Sequence, residues 1–202
     1  MELDEVLRRR RMTRRFGPTP VAAETVERVL GSLAHLPSAG FAQGVDVVVC
    51  ATAASRRRFW EAASEPAWRA RPDAGGLLAA PLVVVPVADP AAYVTRYGEA
   101  DKAASGLAGE PASAWPVPYW LVDAAFAVHA LLLAATAEGL GALFFRLHAP
   151  ADAVLDALGV PPGRTCVGAV ALGHPSPTDR PSGSPTRRER RALHEVVHRD
   201  HW

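Results

Sequence analysis

Lysine is almost missing from this chain of 202 residues: Lys102 is the only one, so nearly every basic group is a guanidinium. A guanidinium never loses its charge, and it presents a planar fork of donors that matches a phosphate. Net charge is also nearly missing, at +1. A general nucleic-acid binder carries a basic excess, so a nucleic-acid partner is not expected and the basic charge must act locally. Cysteine is scarce. Cys50 and Cys166 both lie in apolar runs, which reads as buried free thiols in a reducing, cytoplasmic setting. No signal peptide is expected, because the N-terminus is charged and lacks an apolar core. The longest apolar run, residues 121–137, holds Asp123 and His129. It falls short of the ~20 residues that span a bilayer, so it reads as a buried helix and no membrane partner is expected. No G-x-x-x-x-G-K-[ST] loop occurs and no G-x-G-x-x-G follows a strand, which disfavours nucleotide hydrolysis and a Rossmann site. The histidines are scattered apart from His194, His198 and His201, and no metal-ligand constellation is recognised.

What is present is arginine in two clusters. Residues 8–16 read Arg8-Arg9-Arg10-Arg11-Met12-Thr13-Arg14-Arg15-Phe16, and Arg187-Arg188-Glu189-Arg190-Arg191 lies near the other end. A charge run is commonly a solvated face; here the alternative is that both ends gather around one phosphorylated ligand. Three turns of small residues, at 37–44, 139–141 and 173–175, could let backbone N–H groups approach such a ligand. The chain is 49% hydrophobic, enough for one large domain spanning residues 1–202.

Periodicity predicts a helix over residues 2–11 and a second from a Thr19-Pro20 cap to about Leu36. Strands are expected at 45–51, 82–87, 142–145 and 166–172, and short helices at 55–64, 77–80 and 150–158. The central helix is expected at 119–138, stopped by Gly139-Leu140-Gly141. Residues 89–118 read as a long aromatic-bearing connection of the kind that forms lids. Residues 178–185 read as an irregular tail, with His194 and His198 on a tail helix. The pattern gives an α+β or α/β layered domain.

Several of these segments resemble the FMN-dependent nitroreductases. Arg10-Arg11-Met12-Thr13-Arg14-Arg15-Phe16 is similar to that family's R-R-S-x-R-x-F segment. Pro37-Ser38-Ala39-Gly40-Phe41-Ala42-Gln43-Gly44 is similar to its P-S-x-x-N-x-Q-P loop, and Gly139-Leu140-Gly141 to its G-L-G turn. Residues 168–175 resemble its last strand and G-x-P exit. Arg188-Glu189-Arg190-Arg191-Ala192-Leu193, followed by Glu195-Val196-Val197-His198, resembles its basic tail. These motifs occur in family order along the whole chain.

The resemblance implies an α+β sandwich: a central, mostly antiparallel sheet flanked by helices. It implies an intertwined homodimer with FMN at the subunit interface, and a tail over residues 174–202 that embraces the partner. By the same resemblance Arg10 would hold the FMN phosphate with Arg188 and Arg190. Arg14 would lie at the flavin N1/O2 edge, beside Arg11 and Met12. Pro37, Ser38, Ala39 and Phe41 would line the flavin from the other subunit. The backbone at Arg146 and Leu147 would face flavin N5 and O4. The activity implied is hydride transfer from NADH or NADPH through flavin N5 to a small electron-poor acceptor, in a ping-pong cycle that needs no catalytic side chain.

Three departures from the family pattern stand out: Met12 for a serine, Phe41 for an asparagine and Gly44 for a proline. Asp73 reads either as an acceptor for flavin N3–H or as a solvated carboxylate, and His148 as a surface group or a proton donor. The alternatives left open are a flavin-dependent dehydrogenase or oxidase of a biosynthetic intermediate, a reduced deazaflavin as electron donor, and a non-catalytic protein that stores FMN.

Overall fold

Strand β2 (Leu82–Ala88) is buried along its whole length, and the rest of the fold is layered on its two faces. The structure is a computed structural model that describes residues 1–181 and 183–202. Strand β1 (Val45–Cys50) pairs with β2, and β2 pairs with β5 (Ala169–Gly173), which pairs with β3 (Gly141–Phe145). Every ladder in this sheet is antiparallel, including the short pairing of β4 (Thr165–Cys166) with β2. Alternate residues of a strand point to opposite faces. Leu82 and Val84 join one core with Leu131, Leu132 and Ala135 of the long helix. Val83, Val85 and Val87 join the other core with Phe59, Trp60, Val154 and Leu155.

The 166–172 strand expected from sequence is broken into β4 and β5. Pairing with β2 covers Leu82–Val84 on one side of the break and Val87–Ala88 on the other. The gap falls at Val85–Pro86. Pro86 has no N–H to give a second neighbour, and Gly168 takes a φ of 140° opposite it. A Cβ at Gly168 would lie 2.4 Å from the Phe145 carbonyl oxygen.

Helix α1 (Leu3–Arg9) is shorter than expected and buries only Val6. Helix α2 (Ala23–Gly31) starts after Ala22, not at Thr19-Pro20, and passes into a 3-10 turn, Ser32–His35. The two prolines at 18 and 20 hold the preceding residues extended. Helix α3 (Ala53–Ala63) opens on a capping box between Thr52 and Ser55. Two short helices, α4 (Pro66–Arg69) and α5 (Gly75–Leu78), lead into β2.

The 89–118 connection is not the free loop that its composition suggested. Asp89 caps helix α6 (Pro90–Tyr97), accepting from the Ala91 N–H, and Pro90 occupies the first turn. Two 3-10 turns follow, Ala100–Ser105 and Ala112–Ala114. Trp115 is buried against Tyr97, Tyr119 and Trp120, so this segment is a packed annex rather than a lid.

The central helix α7 (Tyr119–Ala137) buries eight residues, Asp123 among them. It ends on Gly139 at φ 73°, with the Leu140 N–H returning to the Ala135 carbonyl. Helix α8 (Ala151–Ala157) packs on α3 across the other face of the sheet. The tail holds helix α9 (Gly183–Arg187) and a 3-10 turn at Leu193–Glu195. The irregular stretch expected at 178–185 is thus helical from Gly183, and Ser182 within it lies outside the described residues. His194 and His198 do not share a helix.

Candidate functional site

The first arginine cluster leaves α1 as an extended segment laid against β3. Met12 bridges Ala142, the Thr13 N–H donates to the Ala142 carbonyl at 2.9 Å, and Phe16 bridges Pro175. Phe16 is buried with Ala80, Leu143 and Ala171. Thr13 is buried so close to Gly141 that a Cβ there would lie 2.6 Å from the threonine hydroxyl.

The six arginines of this segment divide by partner. Arg8 pairs with Asp4 at 2.8 Å, Arg9 with Glu5 at 2.7 Å and Arg11 with Asp179 at 3.3 Å. Arg10, Arg14 and Arg15 have no carboxylate within ion-pair distance among the described residues. One guanidinium nitrogen of Arg10, Nη1, is buried and has no hydrogen-bond partner among the described residues. A buried charged donor without an acceptor is costly, and an anion would satisfy it. Arg14 reaches only the Met12 carbonyl, at 3.2 Å, and is exposed.

Asp179 was not singled out by sequence. It lies 6% exposed where the tail leaves the body. Its Oδ1 accepts the backbone N–H groups of both Arg14 and Arg15 at 3.0 Å.

Arg146 and Leu147 follow directly on β3. Arg146 is exposed, and neither its N–H nor that of Leu147 donates to a protein acceptor among the described residues. The Leu147 side chain packs into the second core, as Met12 does into the first, so both offer a ligand backbone rather than side chain. Beside them is a cavity of about 140 Å³ lined by Trp60, Trp68, Leu77, Phe145, Arg146 and His148. It adjoins a larger cleft of about 590 Å³ that shares Ser64, Trp68 and His148. His148 is exposed on this rim. Asp73 is exposed and held by Arg71 through two hydrogen bonds of 3.0 and 2.8 Å. That guanidinium lowers its pKa from the ordinary carboxylate range; the solvated reading of Asp73 is the one that fits.

The loop at 37–44 is ordered by a second carboxylate that sequence reasoning did not assign. Asp123, 4% exposed on α7, accepts the Ala39 N–H at 3.0 Å and the Tyr93 hydroxyl at 2.7 Å on the same oxygen. Burial first, and this bond second, push the Tyr93 hydroxyl well above the ordinary tyrosine range. The Ser38 hydroxyl oxygen accepts from the Gln43 N–H at 2.8 Å, and Arg96 donates to the Gly40 carbonyl at 2.8 Å. Glycine at 44 has a packing reason: a Cβ there would lie 2.5 Å from the Tyr93 ring. Pro37 is exposed, and Phe41 projects 70% exposed from a left-handed backbone at φ 57°. A bulky residue in that region is strained, and such positions concentrate at functional sites. Pro37, Ser38, Phe41 and Asp123 line a cavity of about 220 Å³.

Within one chain these groups stand apart. The Ala39 anchor is Asp123, near the start of α7, whereas Met12 bridges Ala142, beyond its end. At 1.5 Å per helical residue the separation is about 20 Å. Arg188 and Arg190 are exposed on the tail, and no hydrogen bond or ion pair ties them to Arg10 among the described residues. The free thiols of Cys50 and Cys166 are raised in pKa, chiefly by burial, and so are poor nucleophiles.

The family model for nitroreductases matches residues 7–174. A comparison with curated proteins returned no match. Among solved structures, one described as a nitroreductase in complex with FMN, from Exiguobacterium sibiricum, superposes with a TM-score of 0.75 at 17% identity, covering 98% of this chain and 97% of that one. A nitroreductase family protein from Clostridium difficile gives 0.71 at 18% identity over 100% of both chains. A protein described as an NADH oxidase, from Clostridium acetobutylicum, gives 0.65 at 18% identity, covering 98% and 99%. At these identities the likeness shows the fold.

Proposed function

The chain belongs to the nitroreductase family, and from that membership we propose that it is an FMN-dependent oxidoreductase using NADH or NADPH to reduce a small electron-poor acceptor. The observation that carries the proposal is the buried, partnerless Nη1 of Arg10 beside the unpaired Arg14. This donor set suits a phosphate, and the crystallised relative with FMN makes the flavin phosphate the natural anion. When bound, FMN supplies a two-electron carrier that takes hydride from the nicotinamide and passes it to the acceptor.

The protein's own residues do the rest. Arg10 holds the phosphate, and the tail's Arg188 and Arg190 add charge to it. Arg14 sets positive charge near the ring edge, where negative charge develops on reduction. The N–H groups of Arg146 and Leu147, free of protein acceptors, orient the ring. Pro37, Ser38, Ala39 and the exposed Phe41 give it a small-residue and aromatic wall. Nitroaromatics and quinones fit such a slot, as does one dedicated metabolite.

This reading places the site between two copies of the chain. The arginine segment and the 37–44 loop lie toward opposite ends of α7, so a two-fold pairing of α7 helices brings one copy's loop to the other's arginines. Exposed apolar side chains favour this pairing: Val122 and Phe126 on α7, Leu3 and Leu7 on α1, and Leu193, Val196, Val197 and Trp202 on the tail are all exposed.

The test is the visible spectrum of the purified protein before and after anaerobic NADH or NADPH. Flavin bands that bleach with one donor support the proposal and name the reductant. Bands that neither donor bleaches sink the nicotinamide part and favour a deazaflavin donor or flavin storage. A colourless protein that cannot be loaded with FMN sinks the whole reading.

A further inference from the structure

We propose that Asp179 is a positioning residue for the anion-binding segment, acting through Arg11, Arg14 and Arg15; the link to FMN rests on the functional reading above. Three observations carry it. Asp179 is 165 residues from Arg14, yet a single oxygen accepts the N–H groups of Arg14 and Arg15. Its other oxygen accepts no hydrogen bond among the described residues and lies 3.3 Å from the Arg11 guanidinium. The adjoining chain continues the same seam: the Ser176 N–H donates to the Arg15 carbonyl at 2.8 Å, and the Gly17 N–H to the His174 carbonyl at 2.8 Å.

Two successive N–H groups turned toward one oxygen fix the peptide planes on both sides of Arg14, and with them the direction in which its side chain leaves the backbone. Pairing Arg11 removes one guanidinium from competition, leaving Arg10, Arg14 and Arg15 as the charges of the segment without a carboxylate among the described residues. A buried carboxylate is expensive unless it is paired and hydrogen-bonded, and these arginines supply both. Asp179 also stands at the root of the tail that carries Arg188 and Arg190, so one side chain sets the origin of both arginine clusters.

The experiment compares Asp179→Ala and Asp179→Asn with Val154→Ala, a destabilising control in the second core. FMN is titrated by fluorescence into each apoprotein, and amide exchange at Arg14 and Arg15 is read by NMR without FMN. Asparagine retains a carbonyl oxygen for both N–H groups. The expected result is at least a tenfold loss of FMN affinity in Asp179→Ala, recovery to within about threefold in Asp179→Asn, and faster exchange at both amides in the alanine variant alone. The control should bind FMN like the wild type.

An Asp179→Ala protein that binds FMN within twofold of the control overturns the proposal. If that variant does not fold, the wild type still decides: unprotected Arg14 and Arg15 amides overturn the anchor. A wild type that binds no FMN but protects both amides refutes the functional reading and leaves the anchor standing.

Discussion

Arg10 carries a buried N–H with no acceptor, a state costing about 1–3 kcal/mol until an anion fills it. Arg10→Ala should weaken FMN binding at least tenfold in a fluorescence titration of the apoprotein; a variant that purifies fully yellow removes Arg10 from the phosphate site. Tyr93 supplies a prediction in pH. Its folded pKa is raised by burial and by Asp123, so the folded chain keeps a proton that the unfolded chain releases near pH ~10. The stability it contributes is complete below about pH 10 and falls above it by about 1.4 kcal/mol per pH unit, until the folded tyrosine ionises. Tyr93→Phe should start less stable, because Asp123 loses a donor, and should then show a shallower alkaline decline in urea midpoint. Parallel curves would refute the assignment. The two buried carboxylates, Asp123 and Asp179, differ in their sequence context. Asp123 interrupts an apolar run, a combination that asks for a buried partner, although the run does not say which. Asp179 sits in a polar tail, where nothing in the local pattern distinguishes it from a solvated acid.

Helix α7 shows what periodicity can and cannot say at the scale of an element. Its continuous apolar run predicted burial on most sides, and eight of its residues are buried. Leu131, fully buried between α7 and the sheet, should cost about 2–5 kcal/mol on truncation to alanine, read as a shift in denaturant midpoint; a loss below about 1 kcal/mol would mean that the site collapses onto the void. Other elements were misread for identifiable reasons. Helix α6 had its signal in Asp89-Pro90, a cap and first-turn proline, but the Gly, Ala, Ser and Pro that follow outweighed it. The break between β4 and β5 depends on Pro86, which lies in a different strand, so no reading of residues 166–172 alone could find it. The Thr19-Pro20 pattern fits a helix start and an extended X-Pro segment equally, and the chain takes the second, with α2 starting at Ala23.

For the whole molecule, the proposed dimer makes one substitution informative. Phe126 is 43% exposed on α7, four residues from the exposed Val122, and an aspartate there would place a charge in the paired face. Phe126→Asp should elute as a monomer in size-exclusion chromatography with light scattering, and should lose bound FMN with the partner's loop. A dimer that stays yellow would move the interface elsewhere.

Residue order alone determined a layered domain of helices and strands, α+β or α/β, the position of most strands and helices, and the identity of the two arginine clusters. Those properties are local: they follow from alternation, caps, turn residues and charge that never titrates. Tertiary structure decided which arginines are free. Arg8 and Arg9 find acids one helical turn away, which spacing foretells, but Arg11 is neutralised by an acid 168 positions on, and half-buried Arg10 is left without one among the described residues, its Nη1 buried. It likewise decided that Asp123 anchors the 37–44 loop and Asp179 the arginine segment. A buried carboxylate is tolerated only where folding brings donors to it, and those donors are fixed by packing rather than by order along the chain.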